Sequence, residues 1–280
     1  MAMDPAQFVQ RAARHMAWRI ERVATWTADR IRRGNRTIIM TPQAGLRFGN
    51  WLYLWLRAHE RTASGEPTLV LTAPGMDVWL EEFPSLRALA IERDRLRFHD
   101  RREWDERSWN QRFGDEFSRE ALRAFIADSL VPDIEPDRSD TVVINVRRGD
   151  YYSNPGLRER YGFDQLGYLA AALRVAGAAE NALVVSDDID WCRENLDELI
   201  HETHPRVDYA KSGAVSDFRA LAAARKLIGT NSTFSYWGGY IAGVLHDDVV
   251  VVMPRFHARL DGETDAYQLD PRWTIIEGFH

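Results

Sequence analysis

Arg147 and Arg148 stand side by side at the end of an apolar run, Val143-Ile144-Asn145-Val146, and are followed by Gly149, Asp150 and Tyr151. Two adjacent guanidinium groups suit a diphosphate, because each planar fork meets phosphate oxygens bidentately and keeps its charge. Fixed cations of this kind can stabilise the charge that develops on a departing diphosphate, more in the transition state than in the ground state and without a metal. Asp150 could orient the arginines through an ion pair or face an acceptor hydroxyl as a base, and the orienting role carries more weight.

Three other segments carry candidate chemistry. In Val184-Val185-Ser186-Asp187-Asp188-Ile189-Asp190-Trp191-Cys192, the acids Asp188 and Asp190 form an Asp-x-Asp pattern that could hold Mn²⁺ or Mg²⁺ with a nucleotide diphosphate. Asp188 equally suits the N-cap of a helix carrying Trp191 and Leu196. In Ile228-Gly229-Thr230-Asn231-Ser232-Thr233-Phe234-Ser235, small hydroxyl side chains and free backbone N–H groups at a helix start make either an anion site or an ordinary cap. Gly45-Leu46-Arg47-Phe48-Gly49-Asn50 is glycine-rich and permits a tight turn with close backbone approach to a ligand. Asp217, taken alone, is a helix first-turn acid. His59, His99, His201, His204 and His257 have no metal-ligand spacing, and no metal site is expected.

In this order and at this spacing the segments resemble the motifs of bacterial α-1,2-fucosyltransferases: a His-x-Arg-Arg-Gly-Asp-Tyr element, a Ser-Asp-Asp-x-x-Trp element and an Asn-Ser-Thr-Phe-Ser-x-Trp element. Gly45 to Asn50 looks like the Gly-x-Gly-Asn element near the start of those enzymes. The resemblance is close over the C-terminal half and loose over the N-terminal half. It implies an inverting glycosyltransferase that moves L-fucose from GDP-β-L-fucose to a galactose hydroxyl of a glycan or lipid-linked acceptor. It places Arg147 and Arg148 on the β-phosphate, Asp187 and Asp188 in the nucleotide pocket, and Asp217 on the guanine edge. Asn231, Ser232, Thr233 and Phe234 would join the diphosphate site, and Arg47 and Asn50 would reach the fucose or phosphate across a cleft. No cofactor and no metal are implied. Asn145 departs from the family, which has histidine there; asparagine hydrogen-bonds both ways but does not titrate near neutral pH. Two rival readings are a metal-dependent transferase of another nucleotide sugar, through Asp188 and Asp190, and a catalytically impaired GDP-sugar-binding protein.

Elements must position these residues. Expected strands are Thr37-Thr41, Thr68-Thr72 and Leu96-His99 in the first half, then Thr141-Val146, Ala182-Ser186, Val207-Tyr209, Lys226-Gly229 and Val249-Met253. Helical stretches fall between them, at Trp51-Ala63, Phe117-Leu130, Gln165-Ala176 and Ser216-Arg225. Alternation of this kind implies parallel sheets covered by helices. Val131 to Asp140, with two prolines and four acids, reads as a linker. The expected fold is therefore α/β, with two Rossmann-like domains facing a cleft in a GT-B-like arrangement. The expected divisions are an N-terminal helix at 1–35, an acceptor-side domain at 36–138 and a GDP-sugar-side domain at 139–280. The tail from Asp270 is expected to return to the first domain.

Pro5 to Arg33 reads as a basic amphipathic helix, with Phe8, Ala12, Met16, Ile20, Val23 and Ile31 on one face and Arg11, Arg14, Arg22 and Arg32 on the other. It could pack on the body of the protein, the favoured reading, or make peripheral contact with an anionic membrane. At 280 residues the chain is long enough for two domains, each with its own core. A net charge of −6 argues against a general nucleic-acid binder. Lys211 and Lys226 are the only lysines, so positive charge is almost wholly arginine. The single cysteine, Cys192, forms no intramolecular disulfide, and no apolar run is long enough for a membrane span. A cytoplasmic enzyme is the simplest expectation. Trp51, Trp55, Trp79, Trp104 and Trp109 enrich the first half, where some could line an acceptor site. Glu66 to Asp115 carries no readable motif.

Overall fold

The computed structural model describes residues 37–104, 111–211, 213–260 and 262–280. The expected N-terminal helix and Trp109 lie outside the described residues. The described residues open with a four-stranded parallel sheet of β1 (Ile38–Thr41), β2 (Thr68–Leu71), β3 (Ala90–Ile91) and β4 (Arg101–Trp104), in the order β3-β2-β1-β4. Helices α1 (Phe48–Ala63), α2 (Asp77–Glu82) and α3 (Arg119–Ser129) accompany it.

A six-stranded parallel sheet follows, built from β5 (Thr141–Val146), β6 (Asn181–Ser186), β7 (Arg206–Tyr209), β8 (Lys226–Ile228), β9 (Val250–Pro254) and β12 (Thr274–Ile276). Its order is β12-β9-β8-β5-β6-β7. The connections carry α4 (Gly149–Ser153), α5 (Pro155–Tyr161), α6 (Gln165–Ala176), α7 (Ile189–His201), α8 (Ala214–Ala223) and α9 (Thr233–Leu245). An antiparallel hairpin of β10 (Phe256–Leu260) and β11 (Glu263–Asp265) precedes the last strand. The architecture is thus α/β with two parallel sheets, as the alternating pattern implies.

Side-chain alternation along β5 sorts its two faces. Val142, Ile144 and Val146 join an apolar cluster with Leu169 and Leu173 of α6 and Cys192 and Leu196 of α7. Val143 faces the opposite way, into a cluster that includes Phe218 of α8 and Trp237 of α9. That second cluster continues without a break to Trp55 of α1, Phe125 of α3 and Val70 of the first sheet. One core therefore runs through both halves, while the cluster on the other face of β5 belongs to the second half. An aromatic seam marks the junction: Phe48 stacks on Trp79 at 3.6 Å and meets Phe218 edge-on at 4.8 Å. Such pairs add to simple area burial. Glu82 and Arg219 form an ion pair beside it.

Three expectations change. Leu96-His99 is not a strand: the Arg97 N–H donates to the Asp100 carboxylate at 2.7 Å, closing a turn, and the strand starts at Arg101. Within the stretch from Val131 to Asp140, Val131–Asp133 is a 3₁₀ turn, Ile134 is buried and the Asp137 N–H donates to Ala223 O, so it is pinned to the body. The tail places β12 on the edge of the second sheet, and within it the return to the first half is made by Asp270, whose buried carboxylate accepts from Arg119 at 2.9 Å.

Candidate active site

The strand alternation that builds the core also decides which motif residues meet. Arg147 continues the face of Val143 and Asn145, and Asp187 continues the face of Val185. Arg148 and Asp188 continue the opposite faces. The Arg147 guanidinium pairs with Asp187 and Asp150, each at 2.5 Å. The Arg148 guanidinium pairs with Asp188 at 3.2 Å and donates to Gln165 at 3.0 Å. It is sandwiched between Tyr152 and Trp191, with its central carbon 4.1 and 3.6 Å from the two ring centres.

Arg147 lies on a cavity of about 520 Å³ between the halves. Gly45, Arg47, Gly49 and Asn50 line it from the first half; Asn145, Arg147, Asp150, Tyr151, Asp187, Asp217, Ser232, Thr233 and Phe234 line it from the second. Two helix N-termini converge there. The start of α1 has no side-chain cap, and α9 is capped by Ser232, whose hydroxyl accepts from the Phe234 N–H at 3.2 Å. Each helix start carries partial positive charge and presents N–H groups, so the pair favours an anion. They approach so closely that a β-carbon on Gly49 would sit 2.6 Å from Thr233 Oγ1 and 2.8 Å from its carbonyl carbon. Gly45 adopts φ +91°, a left-handed conformation suited to glycine, in the turn that leads to α1.

Asp187 organises the strand ends. One carboxylate oxygen accepts from the backbone N–H groups of Arg148, at 2.8 Å, and Gly149, at 3.0 Å, while the other meets Arg147. A β-carbon at Gly149 would come within 2.3 Å of that carboxylate, which accounts for the glycine. Burial, reinforced by the nearby charge of Asp187, raises the Asp217 carboxyl above its ordinary range, while the backbone of Gly213 opposes the shift. Tyr151 lies over Arg147 at 5.2 Å and stacks on Tyr161 at 4.3 Å, so an aromatic pillar backs the guanidinium. Behind it, burial lowers His257 to about 4, and its Nδ1 is 3.1 Å from the Tyr236 hydroxyl.

Asn145 is buried and bonded at both ends. Its Nδ2 donates to Val185 O at 3.1 Å, and its Oδ1 accepts from the Ser235 hydroxyl at 2.6 Å. Ser235 Oγ accepts from the Thr230 N–H at 3.2 Å, and Thr230 Oγ1 accepts from the Arg147 N–H at 3.1 Å. A neutral amide thus ties β5 and β6 to the loop before α9 without any proton transfer.

The expected site residues divide accordingly. Arg147, Asp150, Asn145, Asp187, Asp217, Ser232, Thr233, Phe234, Gly45, Arg47 and Asn50 come together on the cavity. Arg148, Asp188 and Asn231 are not part of its lining. Arg148 is held on the far face as described, Asp188 caps α7 by accepting from the Trp191 N–H, and Asn231 donates to Tyr161 O and His257 O at 2.8 Å each. The Asp-x-Asp reading also gives way: Asp188 is used by the cap and Arg148, and Asp190 is 92% exposed and paired with Arg193. Among the described residues no cluster of three His, Cys, Asp or Glu is arranged to hold a metal ion. Sequence reasoning singled out none of Gly49, Tyr151, Thr230 or Ser235 individually, although all four lie within the quoted motifs. It also missed Gln111, which donates to Asn50 from a stretch without a readable motif.

The sequence model of glycosyl transferase family 11 matches residues 97–277. Galactoside α-(1,2)-fucosyltransferase 1 of Lagothrix lagotricha and that of Aotus nancymaae are each 33% identical over 111 residues, which is 38% of this chain and 30% of theirs. The aligned stretch is thus less than a third of those relatives' length. Among solved structures, a family 9 glycosyl transferase from Veillonella parvula aligns over 87% of this chain and 86% of its own, with 11% identity and a TM-score of 0.42. POFUT1 in complex with GDP aligns over 78% of this chain and 98% of its own, with 12% identity and a TM-score of 0.36.

Proposed function

We propose that this chain, which belongs to glycosyl transferase family 11, transfers L-fucose from GDP-β-L-fucose to a galactose hydroxyl of a glycan in α-1,2 linkage, with inversion. The observation that carries the reading is the placement of Arg147 in one cavity with two converging helix N-termini and Asp217. The diphosphate takes the Arg147 side, where a guanidinium and two helix starts offer positive charge. Asp217, in the same cavity, accepts from the guanine edge. The similarity to galactoside α-(1,2)-fucosyltransferases supports fucose and the linkage.

In the reaction the acceptor oxygen attacks the sugar's anomeric carbon as the bond from that carbon to the β-phosphate oxygen breaks. The electron pair leaves with GDP, and Arg147 stabilises the growing charge. Arg147 must therefore exchange a carboxylate partner for the phosphate. Asp150, 57% exposed and bonded to Arg147, is the partner that can be released, and it then stands able to take the acceptor's proton. Asn145 supports turnover without the family histidine, because its hydrogen bonds position Arg147 and require no titration. No metal is assigned to the reaction. A cytoplasmic setting belongs to the same proposal; among the described residues no helix is long and apolar enough to cross a membrane.

The test is a donor-consumption assay with GDP-fucose and a β-galactoside, with and without EDTA. Fucosylated product whose rate is unchanged by chelation supports the reading. Activity lost on chelation and restored by Mn²⁺ contradicts the metal-free account, and GDP binding without turnover contradicts the enzyme.

A further inference from the structure

Asn50 enters the cavity from α1, and its orientation is set from outside the cavity. Gln111 donates through Nε2 to Asn50 Oδ1 at 2.8 Å, and its own Oε1 accepts from Gln268 Nε2 at 2.8 Å. Gln111 is 6% exposed and Gln268 is 1% exposed, so water does not compete for this chain of amides. The Tyr240 hydroxyl, on α9, donates to the Gln268 backbone carbonyl and fixes the far end.

The direction of the chain has a physical reason. As it stands, Gln268 Oε1 is buried without a partner. Reversing all three amides would instead leave the Gln268 NH₂ buried and unbonded. An orphaned buried donor is rarer than an under-used carbonyl oxygen. The observed polarity therefore occupies Asn50 Oδ1 and leaves Asn50 Nδ2 for the cavity.

We infer that Gln111 and Gln268 are positioning residues that fix Asn50 as a hydrogen-bond donor toward an acceptor oxygen of the bound nucleotide sugar. The inference rests on the proposed GDP-sugar reading of the cavity. It assigns a role to two residues outside the recognisable motifs, and it makes the segment between β11 and β12 a contributor to the site from the opposite half of the molecule.

The experiment compares GDP-fucose affinity by calorimetry for the unaltered protein, Gln111→Glu, Asn50→Asp and the double variant, with thermal melting of each. An ionised carboxylate at position 111 cannot donate, so the Asn50 amide turns to donate to it and presents Oδ1 to the cavity. The expected result is about a tenfold loss in Gln111→Glu, as for one hydrogen bond exchanged for a mismatch. Asn50→Asp loses a similar amount and the double variant no more than either. The Gln111→Glu loss is expected to shrink as pH falls and the introduced carboxyl becomes a donor. Gln111→Met, which cannot bond at all, keeps the result readable if the glutamate variant unfolds: it frees the amide to turn and is expected to lose less than Asn50→Asp. Full additivity of the first two changes, or unchanged affinity in a folded Gln111→Glu or Gln111→Met protein, overturns the positioning role alone. Absence of GDP and GDP-fucose binding by the unaltered protein overturns the reading beneath it as well.

Discussion

Gly49 and Thr233 are the point where the two halves of the protein touch at the cavity, and the space between them has no room for a methyl group. A β-carbon at Gly49 would meet Thr233 Oγ1 at 2.6 Å and the Phe234 backbone nitrogen at 2.9 Å. Because two of the three nearest atoms are backbone, α1 or α9 would have to move. Gly49→Ala is expected to destabilise the protein by about 1–3 kcal/mol, as overpacking does, and to weaken GDP binding by separating the two helix starts. Denaturant unfolding and calorimetry together check this; a Gly49→Ala protein with unchanged midpoint and affinity would show that the contact is not tight in solution.

The adjacent arginines should behave differently when changed. Arg148 lies between Tyr152 and Trp191 and pairs with Asp188, so Arg148→Ala removes a desolvated stack and strands a carboxylate. The expected cost is on the order of 2 kcal/mol of stability, with GDP affinity in the folded protein changed less than about threefold, under half a factor-of-ten step. Arg148→Lys should not restore stability, since a lysine lacks the planar fork that stacks. Melting curves and binding isotherms for both variants test the distinction. A stable Arg148→Ala protein that no longer binds GDP would place this arginine in the anion site.

Asp217 should make the empty site pH-dependent. Burial raises its carboxyl above the ordinary range in the folded protein. The folded state therefore holds this proton more tightly than the unfolded chain does. Its contribution to stability is fully present below the unfolded value and is lost as pH rises through the folded one. Asp217→Asn removes the charge and should raise the melting temperature at neutral pH while abolishing preference for GDP over UDP. Paired melts at acidic and neutral pH read the sign: a variant that melts lower than the unaltered protein at neutral pH would contradict the burial argument.

Much of this site could be read in the residues because parallel strands deliver their next residues to a common edge. The apolar runs ending at Val146, Ser186 and Ile228 are strands, and Arg147, Asp187 and Ser232 after them line one cavity. The same period of two separates Arg147 from Arg148 and Asp187 from Asp188; reading each pair as one unit overlooks it. Asn231 sits in a recognisable motif, yet its amide serves two backbone carbonyls that only the folded chain brings near. β4, Arg-Arg-Glu-Trp in sequence, carries no apolar alternation and exists because β1 offers a partner edge. Gln111 and Gln268 were out of reach for the same reason. Amides 157 positions apart have no local pattern, and their role depends on tertiary contact alone.

In the proposed function this cavity binds a guanosine diphosphate sugar with Arg147 on the diphosphate and Asp217 on the base. Calorimetric titration with GDP-fucose, GDP and UDP, in buffer without metal, tests it directly in the unaltered protein and in Arg147→Ala and Asp217→Ala. The account predicts binding of GDP and GDP-fucose over UDP, with affinity lost in Arg147→Ala and selectivity lost in Asp217→Ala. It also predicts that Arg147→Ala lowers the transfer rate by about 10²–10³, the usual effect of removing one fixed donor to developing charge. Equal affinity for GDP and UDP, or binding that survives Arg147→Ala unchanged, would contradict it.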